Sequence, residues 1–246
     1  MTLRAVTVIV AAALLIIAPA HAGSRARTDD ASAYQPSRAS GAVVAKVVIE
    51  TVARSQPGAG TIKWKVQTET QWGHGPQQLL VLRRALDAQG REWLKVRLPI
   101  RPDGSSGWIR SDFALVKSTP YWIDVSLSRR LVSVYRNGHL VRRFRAVVGA
   151  PSTPTPKGLS AIYDPIQQPD ANGFVGPWVL HLTAFSEVLM KFDGGLGRVG
   201  IHGRAGASLR DPLGSARSHG CIRVDNAQVS WLAHTMPRGT PVDVHR

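Results

Sequence analysis

From residue 43 to residue 117 short apolar-rich stretches alternate with turn residues, and 47–52, 62–69, 79–84, 93–98 and 107–110 each read as a strand. In the fourth stretch Leu94, Val96 and Leu98 fall on one face and Trp93, Lys95 and Arg97 on the other, as a half-buried sheet requires. Asp87-Ala88-Gln89-Gly90 and Arg101-Pro102-Asp103-Gly104 supply turns between stretches. The spacing predicts a small β-barrel or sandwich. Trp93 and Trp108 are expected to pack in its core, a ligand groove being the other reading.

A second pattern opens near Tyr121, where Ile123, Val125 and Leu127 alternate with polar residues. Segments 131–135 and 140–148 flank Arg136-Asn137-Gly138-His139, and Asn-Gly tolerates the positive φ angles of a tight hairpin, so the two should pair antiparallel. Residues 149–158, with Pro151, Pro154 and Pro156, cannot continue a central strand and are expected to form a loop. Segment 163–178 mixes Pro, Asn, Asp and Gly, is too irregular for an ordinary connection, and is expected to be a lid. Near the end, Asp225 or Asn226 caps a helix in which Val229, Leu232, Ala233 and Met236 recur at helical spacing. Val242 and Val244 then mark a last strand.

The first residues bear on location. Arg4, an apolar run from Ala5 to Ala18, then Pro19 and Ala20-His21-Ala22 form the layout of a secretory leader cleaved after Ala22. The run is shorter than the roughly 20 residues a spanning helix needs, so no stable membrane span is expected after cleavage. Residues 23–42 then read as a flexible linker, 43–118 as a β module and 119–246 as a second domain. Lys and Arg number 31 against 16 Asp and Glu, a formal charge of +15, which points to a polyanionic partner. For an exported chain that partner is an anionic cell-wall polymer rather than nucleic acid, and no zinc-finger spacing or aromatic-glycine RNA motif speaks for the latter.

Candidate chemistry concentrates late in the chain. Ile201-His202-Gly203 precedes Ser218-His219-Gly220-Cys221-Ile222-Arg223, which holds the sequence's one cysteine. One cysteine excludes an internal disulfide and a multi-thiolate zinc site. A thiol becomes a good nucleophile when a nearby imidazole takes its proton. In an extended segment His219 and Cys221 would project to one side, and Gly220 would leave its N–H, with that of Cys221, aimed at a developing oxyanion. An inert buried thiol and a zinc site built on His202, His219 and Cys221 are the competing readings. His74, His139, His181, His234 and His245 read as surface or core histidines. Arg142, Arg143 and Arg145 read as a solvated strand face, and Asp193-Gly194-Gly195-Leu196-Gly197 as a turn.

The order His, fifteen intervening residues, then Ser-His-Gly-Cys and an aliphatic residue resembles the signature of the L,D-transpeptidases, the YkuD-type wall cross-linking enzymes. Val148-Gly149 before the loop 153–158, and the terminal helix and strand, extend the resemblance over about 121–244. The stretch Trp93 to Val96, the Pro/Gly turn and Gly107-Trp108-Ile109 resemble bacterial Src-homology-3-like modules. These resemblances imply a mainly β protein: a small N-terminal β-barrel and a sandwich-like catalytic domain with one short helix. They imply Cys221 as nucleophile, His202 as general base, His219 in support, and Ser218, Gly220, Gly203 and Arg223 around the substrate, with no cofactor and no metal. Gly203 stands where some members have serine, and Arg223 where the signature often ends in asparagine. The implied substrate is a peptidoglycan peptide stem, cross-linked through a thioester. A thiol hydrolase trimming wall peptides and a non-catalytic wall-binding protein are the alternative functions.

Overall fold

The computed structural model describes residues 34–191 and 195–246. The expected leader, most of the expected linker, and Asp193 and Gly194 lie outside the described residues.

The chain is mainly β. Its first sheet contains β1 (Ala42–Val47), β2 (Thr51–Arg54), β3 (Ile62–Val66), β4 (Gln78–Leu86), β5 (Glu92–Arg97), β6 (Ser106–Arg110) and β7 (Ala114–Thr119). The spatial order is β3-β2-β6-β5-β4-β1-β7. The apolar stretch at 47–52 thus divides into two strands around a turn, and β1 starts five residues earlier than its pattern indicates. Ala45, Val47, Ala53, Val66, Leu79, Val81, Leu94, Val96, Leu98 and Ile109 form one buried cluster, so the sheet curls around a single core. Tyr34 packs against that cluster, and Ser37 and Gly41 form a bridge, so the expected linker is ordered over its last residues. Trp93 is also buried, on the face expected to be polar, because its indole N–H donates to Asp87 Oδ2 at 2.9 Å.

The second sheet is built from β8 (Tyr121–Ser126), β9 (Leu131–Arg136), β10 (His139–Arg145), β12 (Gly158–Gln167), β13 (Trp178–Phe185), β14 (Arg198–His202), β16 (Ile222–Arg223) and β17 (Pro241–His245). Its order is β10-β9-β8-β17-β12-β13-β14-β16. A separate short pair joins β11 (Val148–Gly149) to β15 (Ala216–Ser218). The β9–β10 hairpin turns through Asn137 and Gly138, at φ 50° and 80°, as the Asn-Gly pair indicates. Helix α1 (Asn226–Thr235) lays Val229 and Leu232 into the core formed by Ile123, Val125, Val132, Val134, Leu180, Leu182, Val199, Ile201, Val242 and Val244.

The segment expected to be a lid is corrected by the sheet. Tyr163 to Gln167 belong to the ten-residue strand β12, with a register shift between Ile162 and Asp164, and the irregular connection is confined to 168–177. Asp164 explains why this stretch does not read as a strand. Its carboxylate is fully buried, and it accepts hydrogen bonds from Thr70 Oγ1 at 2.9 Å and the Gly73 N–H at 2.8 Å while pairing with Arg238. A polar side chain in a buried strand breaks the apolar pattern, and here it is stabilised by partners remote in sequence.

Candidate active site

The site lies on the face of β13 and β14 that looks away from the core. Along β14, Val199 and Ile201 point into the core, so Arg198, Gly200 and His202 point the other way. Along β13, Leu180 and Leu182 are core residues, which turns Val179 and His181 to the same outer side. Antiparallel pairing sets Val179 opposite His202 and His181 opposite Gly200. These residues floor a cavity of about 360 Å³, which Trp72, Phe174, Val175, the 195–197 loop, His219, Cys221 and Arg223 wall.

Strand β16 runs parallel to β14, pairing Ile201 with Ile222 and His202 with Arg223, so Cys221 arrives beside Gly200. Cys221 is partly exposed into the cavity and receives a hydrogen bond from the Gly200 backbone. Burial pushes its thiol up from the ordinary value of 9.0, against the smaller opposite effects of that hydrogen bond and of Arg223. His202 is buried at 4% exposure, with Nδ1 2.8 Å from the Gly203 carbonyl oxygen. A carbonyl only accepts, so Nδ1 carries the hydrogen and Nε2 presents a lone pair. Burial holds the imidazole down at about 4; Arg223 and His181 add to this, and hydrogen bonding to the Gly203 and Val175 backbone opposes it. Thiol and imidazole are therefore both neutral near pH 7.

The residues around this pair hold its geometry. Ser218 is fully buried, donates to the Cys221 carbonyl at 2.6 Å and accepts the Gly220 N–H at 3.2 Å. These bonds brace the bend at 219–220. The bend also replaces the expected extended run from His219 to Cys221, and Gly220 sits at φ 113°, a conformation that favours glycine. The Gly220 N–H donates to Ser218 Oγ. His219 is exposed and lines the cavity with Cys221. Gly203 is buried, a Cβ there would collide with Asn226 Oδ1, and its carbonyl holds His202. Asn226 Oδ1 accepts the Arg204 N–H at 2.7 Å, so the first residue of α1 fixes the turn that follows His202. Asp225 stands at the helix N-cap without a side-chain capping bond. Arg223, 3% exposed, pairs with Asp211 at 2.6 Å and lies 4.9 Å from the Phe174 ring centroid.

Sequence reasoning missed His181, Arg198, Asn226, Phe174 and Trp72. Alternation along 179–182 carries a signal for His181, since Leu180 and Leu182 claim the core side. Trp72 carries none, because it sits on a loop whose place is decided by Asp164. Trp93 and Trp108 do not line the cavity, whereas the Gly-rich stretch contributes Gly195, Leu196 and Gly197 to its rim.

A thiol and a buried, neutral imidazole facing one cavity are the parts of a nucleophilic acyl-transfer site. The family model for the L,D-transpeptidase catalytic domain, YkuD, matches residues 120–244, and the chain belongs to that family. The YkuD protein of Bacillus licheniformis is 34% identical over 125 residues, which are 51% of this chain and 66% of that protein. That of Bacillus subtilis is 29% identical over 127 residues, 52% of this chain and 67% of the relative. The chain thus spans about two thirds of the curated relatives it matches. Among solved structures, an L,D-transpeptidase from Mycobacterium tuberculosis H37Rv aligns over 74% of this chain and 77% of its own, at 20% identity and TM-score 0.42. Among the described residues no helix is long and apolar enough to cross a membrane.

Proposed function

We propose that the protein is an exported, cysteine-dependent peptidoglycan L,D-transpeptidase. The observation that carries this reading is the shared cavity of Cys221 and His202, with Nδ1 of the imidazole engaged by Gly203; Nε2 is assigned as the base. In the first half-reaction Nε2 of His202 takes the Cys221 proton as Sγ attacks the carbonyl before the terminal D-alanine of a tetrapeptide stem. The C–N bond breaks, His202 returns the proton to the departing D-alanine amine, and a thioester remains on Cys221. In the second, the neutral amine of another stem attacks that thioester; its proton passes to His202, the C–S bond breaks and the thiol is restored. The backbone N–H of Cys221 is assigned to the oxyanion, since that of Gly220 is held by Ser218. His219 supports the site from the rim.

Domain boundaries near residue 119, a leader over 1–22 and attraction of the basic surface to anionic wall polymers complete the reading; the formal charge of +15 supports the last. The test is intact-mass spectrometry of the full chain mixed with a tetrapeptide stem, with chromatography of the products. The expected result is a protein adduct equal to the stem less D-alanine, absent in Cys221→Ala, and a cross-linked dimer of stems. Free tripeptide as the sole product would replace transfer by hydrolysis, and an unchanged turnover in Cys221→Ala would overturn the cysteine mechanism.

A further inference from the structure

The two sheets meet where the cavity opens. The loop joining β3 to β4 closes on itself through the Thr70 N–H to the Gly75 carbonyl (2.8 Å) and the Gln77 N–H to the Thr68 carbonyl (2.7 Å). Asp164 holds it through Thr70 and Gly73, and the Tyr163 hydroxyl accepts the Gln71 N–H at 3.3 Å. At its tip Trp72 is 42% exposed, an unusual state for a large aromatic ring, and it lines the cavity that contains Cys221. Its ring centroid lies 5.1 Å from that of His181 and 4.9 Å from the Arg198 guanidinium carbon.

Arg198 is the second half of the feature. Its guanidinium lies over three rings, Trp72, Tyr163 (5.0 Å) and Phe185 (4.3 Å). Its two hydrogen bonds go to backbone carbonyls, Leu182 at 3.0 Å and, across the boundary between the sheets, Pro99 at 3.0 Å. None of the ion pairs among the described residues includes it, and its Nε finds no acceptor. A guanidinium carries five N–H donors, so this one keeps donors to spare, with no carboxylate inside ion-pair distance and Asp164 acting on its charge only at longer range. Arg101 holds the opposite rim, donating to the Leu196 carbonyl at 2.8 Å and that of Leu189 at 3.1 Å.

We propose that Trp72 and Arg198 form a subsite for the terminal carboxylate of the acyl donor, so that the N-terminal sheet supplies part of the substrate site. This rests on the transpeptidase reading above. The strand geometry fixes the distance. Arg198 and His202 flank Gly200 on one face of β14, each about 7 Å from it along the strand. Cys221 stands at Gly200, so the attacked carbonyl has His202 on one side and Arg198 on the other. A donor cut before its last residue carries a carboxylate about one residue, or ~3.5 Å, beyond that carbonyl, within reach of an arginine rooted at position 198. Trp72 covers the cation's face, excludes water from the contact and leaves the guanidinium edge to bind a planar anion.

The test compares a tetrapeptide stem ending in free D-alanine with the same stem ending in the carboxamide, by calorimetric binding to the full chain carrying Cys221→Ala. The expected result is a preference for the acid of roughly tenfold, the size of one charge-assisted contact. Arg198→Gln, added to that chain, should remove the preference, Arg198→Lys should keep part of it, and Trp72→Ala should reduce it while Trp72→Phe restores it. The acid-to-amide ratio is read within each variant, so a general loss of folded protein does not imitate the effect. Equal binding of acid and amide, no binding of the acid, or a ratio unchanged in Trp72→Ala would each overturn the subsite. Acid-selective binding with no adduct on the unmutated chain would instead overturn the transpeptidase reading and leave the subsite standing.

Discussion

His202 is oriented by the carbonyl of the next residue, Gly203, 2.8 Å from Nδ1, where a triad would employ a carboxylate. A neutral carbonyl fixes the tautomer but supplies no charge to stabilise an imidazolium. Burial then keeps the ring neutral, and the same burial keeps the Cys221 thiol protonated. The resting pair is thus thiol and imidazole, and in the proposed reaction proton transfer would accompany attack.

The pH dependence follows from these directions. His202 is held at about 4 and Cys221 above 9.0, so across neutral pH the imidazole is free base while the thiolate is scarce. Alkylation of Cys221 by iodoacetamide should rise about tenfold per pH unit from pH 6 to 8.5, following the thiolate. A plateau across neutral pH would reveal an ion pair and sink this assignment. Stability carries the opposite marker: His202 falls from 6.5 unfolded to about 4 folded, so its contribution is complete above pH 6.5 and is lost as pH drops towards 4. The loss is on the order of 3 kcal/mol. His181, also lowered to about 4 by burial and then by Arg198, adds to it. Thermal melts at pH 7 and pH 4.5 check the sign.

Asn226 positions the His202 imidazole, the base of the proposed reaction, through the chain. Asn226→Ala leaves the Arg204 N–H without its acceptor and frees the turn below His202. The expected effect is a fall in kcat of about tenfold with KM nearly constant, because proton transfer depends on the ring's placement. Asn226→Asp retains an acceptor oxygen and should recover most of the rate. Equal rates for the alanine variant and the unmutated chain would show that the turn holds without it.

Asp164 joins the sheets. In Asp164→Ala, Arg238, Thr70 and the Gly73 N–H all lose their buried partner, and unfolding free energy should drop by about 3 kcal/mol. Chemical denaturation measures the loss, and amide hydrogen exchange at Gly73 should accelerate before the strands of either core do. Unchanged protection at Gly73 would place the anchor of the Trp72 loop elsewhere.

The single thiol, the histidine upstream, the hairpin at Asn137-Gly138 and the core-facing sides of β5 and β8 were legible in the sequence, because each depends on residues a few positions apart. Period-two alternation names the faces of a strand, and a short motif names its own chemistry. What escaped it depends on partners far along the chain. Tyr163 to Gln167 read as a lid because Asp164 interrupts the pattern, and only Thr70 and Gly73, more than ninety residues earlier, make that carboxylate fit a strand. That Ser218 bonds to the Cys221 carbonyl and that Gly203 packs against Asn226 is visible only in the folded chain. Arg198, His181 and Trp72 became neighbours only when the two sheets packed, because a cavity is defined by which surfaces meet, and local periodicity holds no record of that meeting.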